Sequence, residues 1–266
     1  MSDLSLIRRD LRMRIYYGRN LIATQFVLFL IITSFYVIVF EYNNFSQQME
    51  WISIERFWSG FSEKSLELFK QSGTFQIPYV WLFFQLFYLL SIRTFFLIDL
   101  TSSSGVIITR TGIRKFVFSK VISLFLYTVL YVSICMTFIL LVSFVQYSLF
   151  KVKLSFFTEW DIYLLFYLFL ILGLFLEALI FEVLSILLEE IITFITWFCF
   201  LILSFFSKNP LLIGNYTMFS RWNESLVFID NLFLIGIWIC LLIVSLIKLE
   251  MVLLNKIDFI NEKGER

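Results

Sequence analysis

The chain has 266 residues, of which 60% are hydrophobic and only 15% are charged, and its mean hydropathy is +0.90. Soluble domains carry about a quarter charged residues, so water is excluded as the main solvent of this chain. The net charge of +1, from 21 basic and 20 acidic residues, offers no basic excess for binding nucleic acid. The composition predicts one all-α, polytopic membrane domain over residues 1–266.

Several kinds of catalytic and metal chemistry are also excluded. The sequence contains no histidine, which removes histidine-based triads and most zinc sites. The three cysteines lie in apolar stretches without paired spacing and are interpreted as buried hydrophobic residues: Cys135, Cys199 and Cys240. Glu189 and Glu190 resemble the glutamate pair of CAAX-processing proteases, but those enzymes also use histidines. We expect no catalytic residue, no metal site and no cofactor held by this chain.

The first 40 residues predict two elements. Apolar residues recur at the spacing of one helical face over the first 20 residues: Leu4, Ile7, Leu11 and Ile15. Arginines occupy the other faces: Arg8, Arg9 and Arg12. This pattern predicts a surface helix over 1–20, lying on the membrane, followed by an uncharged first span over 21–40.

Five further apolar runs predict the remaining spans. Residues 41–77 are mixed in polarity and predict an extramembrane segment with short amphipathic helices. The later spans are predicted at about 78–98, 121–150, 162–181, 191–206 and 226–247. An acidic turn containing Glu182, Glu189 and Glu190 is predicted to mark the membrane surface between the fourth span and the short fifth span, and a single long helix across both is the alternative.

Two ionisable residues fall inside predicted spans. Arg93 lies in the second span, near enough to its inner end to reach the surface, and Glu177 lies in the fourth. An ionisable residue within a membrane is a functional hypothesis by default. Three surroundings remain open for Glu177: a partner such as Arg93, a substrate path, or water at the headgroups.

The distribution of basic residues predicts the orientation. The segments assigned to the inside carry 14 lysines and arginines, whereas those assigned to the outside carry seven. Basic residues favour the cytoplasmic side, so both termini are predicted to be cytoplasmic.

The most patterned polar segment covers residues 99–120, between the second and third spans. It contains "GVIITRTGIRKFVFSK", with glycines that permit tight turns and a run of basic side chains: Gly105, Thr109, Arg110, Gly112, Arg114, Lys115 and Lys120. Together with the surface helix and the six spans, this segment resembles the permease subunits of type-2 ATP-binding-cassette exporters. The resemblance covers the whole chain in layout, but only about 20 residues in motif.

The resemblance implies partners and a mechanism. In that family the basic segment is a coupling helix that docks on a separate ATPase subunit, with the surface helix beside it, and spans one, two and five line the pathway. The permease pairs with a second permease, identical or related, in the bacterial plasma membrane. This sequence has no GxxxxGK[ST] phosphate loop, so ATP and magnesium are expected on the ATPase. The apolar spans favour an amphipathic or lipid-like cargo, such as a peptide, bacteriocin or antibiotic.

Two other classes of protein stay open. A non-transporting membrane protein, such as a bacteriocin-immunity or scaffold subunit, needs no ATPase and tolerates loss of the basic helix. An ion-coupled secondary transporter makes Glu177 essential and is expected to show repeated halves, of which the sequence shows no convincing sign.

Overall fold

The computed structural model describes residues 3–42, 57–61, 63–73, 78–102, 104–150, 160–207, 209, 211–224 and 232–256. Within these ranges the regular structure is helical and contains no strand. The α-helices are α1 (Asp3–Tyr42), α2 (Glu63–Ser72), α3 (Tyr79–Ser102), α4 (Ser104–Thr111), α5 (Ile113–Phe150), α6 (Trp160–Leu187), α7 (Glu190–Phe206), α8 (Phe219–Glu224) and α9 (Leu232–Lys256). A 3-10 helix covers Ile213–Thr217.

Three described helices are long and apolar enough to cross a membrane. Their apolar stretches are Ile113–Val145, Ile162–Leu187 and Phe233–Lys256. Two shorter apolar helices accompany them, Tyr79–Arg93 and Ile191–Phe206. Many large apolar side chains on these helices are exposed, as expected where lipid takes the place of water. The architecture is that of an all-helical membrane protein.

The predicted surface helix and the first predicted span lie on one continuous helix. Residues 3–42 form one helix of 40 residues, about 60 Å long, without a break near residue 20. The predicted apolar face is only partly packed, because Leu4 and Ile15 are exposed whereas Leu11 packs against the core. The packed face recurs every fourth residue over the first turns: Leu6, Asp10, Arg14 and Gly18. Helix α1 packs along α3 and α5, so its first half belongs to the bundle.

The segment between the second and third spans is more helical than predicted. Helix α3 continues to Ser102 instead of ending near residue 98, and α4 follows over Ser104–Thr111. Gly105, predicted at an entry turn, lies inside α4. Gly112 makes the turn between α4 and α5 with a φ of 83°, a left-handed conformation that favours glycine. Arg114, Lys115 and Lys120 therefore lie on the first turns of the 38-residue α5.

The fourth and fifth predicted spans are separate helices. Helix α6 ends at Leu187, and α7 begins at Glu190, so a single helix across this region is excluded. Glu182, predicted to mark the membrane surface, lies inside α6 with its side chain fully buried. The sixth predicted span, 226–247, is represented by α9 over Leu232–Lys256, and residues 225–231 lie outside the described ranges.

The loop after α7 folds back into the bundle. Residues 213–221 are all buried, and the 3-10 helix packs against α6 and α7. The backbone N–H of Phe219 donates to the carbonyl of Trp58 at 2.7 Å, which joins this loop to the segment before α2. Helix α2 falls in the predicted extramembrane segment, of which residues 43–56 lie outside the described ranges.

A valine at Gly18 should destabilise the bundle, because the end of the Tyr127 side chain from α5 approaches the backbone of α1 closely there. A Cβ at Gly18 overlaps the hydroxyl of Tyr127, whose ring is buried. We expect Gly18→Val to lower the free energy of unfolding by about 1–3 kcal/mol. Gly236→Val in α9 is the matched control, because a Cβ there meets open space. Thermal unfolding in detergent compares the two, and equal stability of both variants would contradict the close approach.

Candidate functional site

The exposed part of the predicted coupling segment forms a corner between α4 and α5. We call this surface the basic corner; its residues are Thr109, Arg110, Gly112, Arg114 and Lys115, and all are exposed. The long α5 continues directly from this corner into the bundle. A displacement of the corner therefore moves a rigid helix.

Lys120 does not belong to this surface. The sequence predicts it among the coupling residues, yet its side chain is only 1% exposed. The Nζ of Lys120 lies 3.1 Å from Oε1 of Glu250 and 3.7 Å from Oε2 of Glu182. Lys120 directly precedes the long uncharged run of α5 and lies in the interior of the bundle. There its side chain is paired with acids from α6 and α9.

Five ionisable side chains meet at the end of the bundle where α1 and α5 begin and α6 and α9 end. We call them the charge cluster: Asp10, Arg14, Lys120, Glu182 and Glu250. Each is at most 1% exposed. Since charged groups are almost never fully buried unless they are paired, the geometry of this cluster decides whether the four helices can pack.

Arg14 anchors α1 to two other helices. Its Nη2 donates to Oε1 of Glu182 at 2.9 Å, and its Nε donates to Oγ of Ser123 at 3.2 Å. The Ser123 hydroxyl in turn donates to the carbonyl oxygen of Lys120 at 2.8 Å. One guanidinium thus joins α1 to α5 and α6.

Asp10 makes a second attachment of α1. The Oγ of Ser119 donates to Oδ2 of Asp10 at 2.7 Å, and Nε of Arg9 donates to Oδ1 at 2.7 Å. Arg9 is therefore partly buried and paired with Asp10. The other two predicted surface arginines, Arg8 and Arg12, are exposed.

The charges of the cluster balance. Arg14 and Lys120 supply two positive charges against the two carboxylates of Glu182 and Glu250, and Asp10 is paired with Arg9. Desolvating two opposite charges costs several kcal/mol per ion, and their attraction offsets this cost only when the geometry is good. Removing one partner costs about 3–5 kcal/mol, because a buried charge is then left behind.

Glu177 contrasts with the cluster. It lies on α6 with no exposed surface, and neither carboxyl oxygen has a hydrogen-bond partner in the described part of the structure. The bond to Arg93 that the sequence left open is not formed, and Arg93 is partly buried on α3. Headgroup water is also excluded as the surroundings of Glu177, because its side chain is inaccessible.

A line of polar contacts continues from the charge cluster along the bundle. Tyr88 and Thr128 share a hydrogen bond of 2.5 Å between α3 and α5. Further along, the hydroxyl of Tyr131 donates to Oε1 of Gln25 at 2.6 Å. Hydrogen bonds of this kind fix how neighbouring helices are rotated about their axes.

The polar line ends at the loop that folds back after α7. Nε2 of Gln85 donates to Oγ1 of Thr217 at 2.7 Å, and Nε1 of Trp81 donates to the Thr217 carbonyl at 2.9 Å. Helix α3 is therefore attached to the 3-10 helix. Arg221 is also buried, and its Nη2 donates to the carbonyl of Phe205 at 2.9 Å.

An apolar groove runs between α3 and α7. It has a volume of about 240 Å³, and its lining residues are Tyr79, Leu82, Phe83, Leu86, Trp197 and Phe198. These helices correspond to the predicted second and fifth spans. The groove could accommodate an apolar ligand, and its lining provides few hydrogen-bonding groups.

The described residues show no metal or disulfide site. Within those ranges no group of three metal-ligating side chains comes together, and the cysteines are free thiols. Cys135 is buried as predicted, whereas Cys199 and Cys240 are exposed on the surfaces of α7 and α9. No protein-family model, no curated protein and no solved structure matches this chain. The observations define a class: an all-helical membrane protein whose helices are joined at one end by buried ion pairs.

Sequence reasoning missed Asp10, Arg14, Glu182 and Glu250. A hydropathy pattern selects apolar residues for the interior, whereas these side chains are buried because their charges cancel. One signal was present: Asp10 and Arg14 lie four residues apart, in register with Gly18, on a face that an amphipathic surface helix leaves unexplained. Nothing in the sequence places Glu250 beside Lys120.

The same substitution at two buried glutamates of α6 should lower stability strongly at one position and hardly at the other. We expect Glu182→Gln to destabilise the protein by about 3–5 kcal/mol, because Arg14 and Lys120 lose a counter-charge. Glu177→Gln preserves shape and breaks no described hydrogen bond, so it should change stability by less than about 1 kcal/mol. Thermal unfolding in detergent measures both, and similar losses would contradict the paired role of Glu182.

Proposed function

We propose that the chain is the membrane-spanning permease subunit of an ATP-binding-cassette exporter in the plasma membrane of a bacterium. The proposal includes six spans, formed by α1, α3, α5, α6, α7 and α9, and cytoplasmic termini. Its partners are a second permease, identical or related, and ATPase subunits that hold ATP and magnesium. The observation that carries it is the exposed basic corner, which is continuous through α5 with the buried charge cluster.

Transmission of force follows from this arrangement. Closure of the ATPases on ATP displaces the basic corner, and α5 moves with it as a rigid rod. Lys120 lies only five residues beyond Lys115, and its ion pairs join α5 to α6 and α9. Arg14 and Asp10 join α1 to the same place. A displacement of the basic corner is therefore transmitted to four helices. These helices rearrange between discrete packing arrangements, which gives alternating access.

The path of the cargo is proposed along α1, α3 and α7. The groove between α3 and α7 supports this proposal, because its apolar lining suits an amphipathic or lipid-like cargo. A peptide, bacteriocin or antibiotic is the class of cargo proposed. No residue of this chain performs covalent chemistry in the mechanism.

Ion-coupled secondary transport is the second candidate, and one observation favours it. Glu177 is a fully buried carboxyl without a hydrogen-bond partner among the described residues, as expected of a group that binds and releases an ion. This candidate needs no ATPase and gives no role to the basic corner.

Reversing the charge of the basic corner should release the ATPase without disturbing the bundle. We expect Arg110→Glu with Arg114→Glu to weaken ATPase association about tenfold or more, because like charges replace the complementary ones. Lys248→Glu with Lys256→Glu is the control, since both residues are exposed lysines at the end of α9. A pull-down from native membranes in mild detergent, with mass spectrometry and an ATPase assay, measures the association.

Two outcomes of this experiment contradict the exporter proposal. A wild-type chain that purifies without an ATPase favours the ion-coupled candidate and makes Glu177 the residue to substitute. An ATPase that remains bound to the reversed variant removes the basic corner from the coupling interface.

A further inference from the structure

A second groove opens at the end of the bundle that carries the charge cluster. Its volume is about 260 Å³, and its walls are almost entirely apolar. Three helices supply its lining: Ile7 from α1, Met251 from α9, and Arg114, Lys115, Phe118 and Ser119 from α5. Arg114 and Lys115 also belong to the basic corner, but the exporter mechanism assigns no role to the apolar part of this cavity.

The two basic residues of the groove divide into apolar and charged parts. Since the walls are nearly all apolar, Arg114 and Lys115 contribute their methylene stems to the lining. Both side chains are exposed, so their charged groups lie at the rim. Phe118 is 57% exposed and adds a large ring. An apolar slot with two cations at its rim fits a molecule with an apolar tail and an anionic head.

The surroundings also favour an anion. The exposed cations at this end of the bundle include Arg8, Arg12, Arg110, Arg114, Lys115, Lys248 and Lys256. Three acidic side chains at this end, Asp10, Glu182 and Glu250, are buried and paired, so they present no charge at the surface. Among the side chains whose exposure the structure describes at this end, Glu189 is an exposed acid.

The groove lies near the ends of two helices that are long and apolar enough to cross a membrane. The membrane-length stretch of α5 begins at Ile113, and that of α9 ends at Lys256, so Arg114 and Met251 fall in their terminal turns. Basic pockets between helices at the ends of membrane spans are the usual binding sites of acidic headgroups. An acyl chain that enters the groove contacts the apolar side chains of α5 and α9.

We propose that this groove binds one anionic phospholipid. The phosphate lies between the charged groups of Arg114 and Lys115, and an acyl chain lies along Phe118, Ile7 and Met251. Ser119 lines the groove and also donates to Asp10, so the lipid packs directly against the charge cluster. This site requires a membrane protein but does not depend on the exporter proposal.

Lipid retention by the full-length chain tests the site. The protein in neutral detergent is titrated with phosphatidylglycerol or with phosphatidylcholine, and bound lipid is counted by native mass spectrometry. We expect phosphatidylglycerol to be retained in preference. Arg114→Gln and Lys115→Gln should each weaken its binding about fivefold. Lys248→Gln with Lys256→Gln removes two exposed cations outside the groove and should leave binding unchanged.

A second variant tests the slot without changing any charge. Met251→Trp places a larger side chain in the groove and should reduce phosphatidylglycerol binding while Arg114 and Lys115 remain. The proposal is overturned by equal retention of the two lipids, by an equal loss in the Lys248 and Lys256 control, or by unchanged binding in Met251→Trp. Competition by inorganic phosphate at matched concentration also overturns it, since that result indicates a phosphate site.

The lipid proposal and the exporter proposal fail separately. Arg110 belongs to the basic corner but does not line the groove. Arg110→Glu should therefore weaken ATPase association and leave phosphatidylglycerol binding unchanged. A loss of lipid binding in Arg110→Glu would place the headgroup on the corner instead of in the groove.

Discussion

Charged side chains that lose their hydration on burial must be paired with opposite charges. In this protein that requirement fixes where four helices meet. Arg14 and Lys120 are buried on α1 and α5, and each pairs with a glutamate from another helix. An ion pair of this kind contributes little net stability, but a displaced partner is costly, because it leaves a charge without solvent. The relative positions of α1, α5, α6 and α9 at this end are therefore tightly specified.

The same constraint explains why α1 is continuous. A surface helix over the first 20 residues leaves Asp10 and Arg14 in water, whereas extending the helix along α5 brings them to Ser119 and Glu182. Gly18 then leaves room for the Tyr127 side chain of α5 beyond the cluster. Farther along, the contact between Gln25 and Tyr131 keeps the same face against α5.

A rigid connection between a surface and the interior also gives the proposed function its physical basis. The basic corner is exposed, and the charge cluster begins within two turns of it along α5. The phospholipid groove lies beside both, with Ser119 shared between groove and cluster. In the proposed mechanism the end of the bundle that carries the charge cluster binds a protein partner and a lipid, and the same paired charges contact both regions.

The sequence predicted those parts of the fold that depend on local patterns. Long apolar runs indicated the membrane-length helices, Pro78 preceded the start of α3, and the acidic turn separated α6 from α7. Gly112 was singled out as a turn residue, and its left-handed backbone bears this out. These features follow from hydropathy, helix breakers and backbone freedom within a few residues.

The parts that depend on distant residues could not be predicted. Lys120 looked like another basic surface residue, because its partners on α6 and α9 lie 62 and 130 positions away along the chain. Glu182 was interpreted as a residue at the membrane surface, because its partners are also distant in the sequence. Periodicity reports which face of a helix is buried only when the buried face is apolar, and the buried face of α1 is partly charged.

The central claim is that the buried ion pairs determine how the helices meet, and a double-mutant cycle on Arg14 and Glu182 tests it most directly. Arg14→Met, Glu182→Gln and the combined variant are compared by thermal unfolding in detergent. If the two side chains neutralise each other, the combined variant loses less stability than the sum of the single losses, by about 1–3 kcal/mol. Losses that simply add would show that the two charges are independent and would contradict the account.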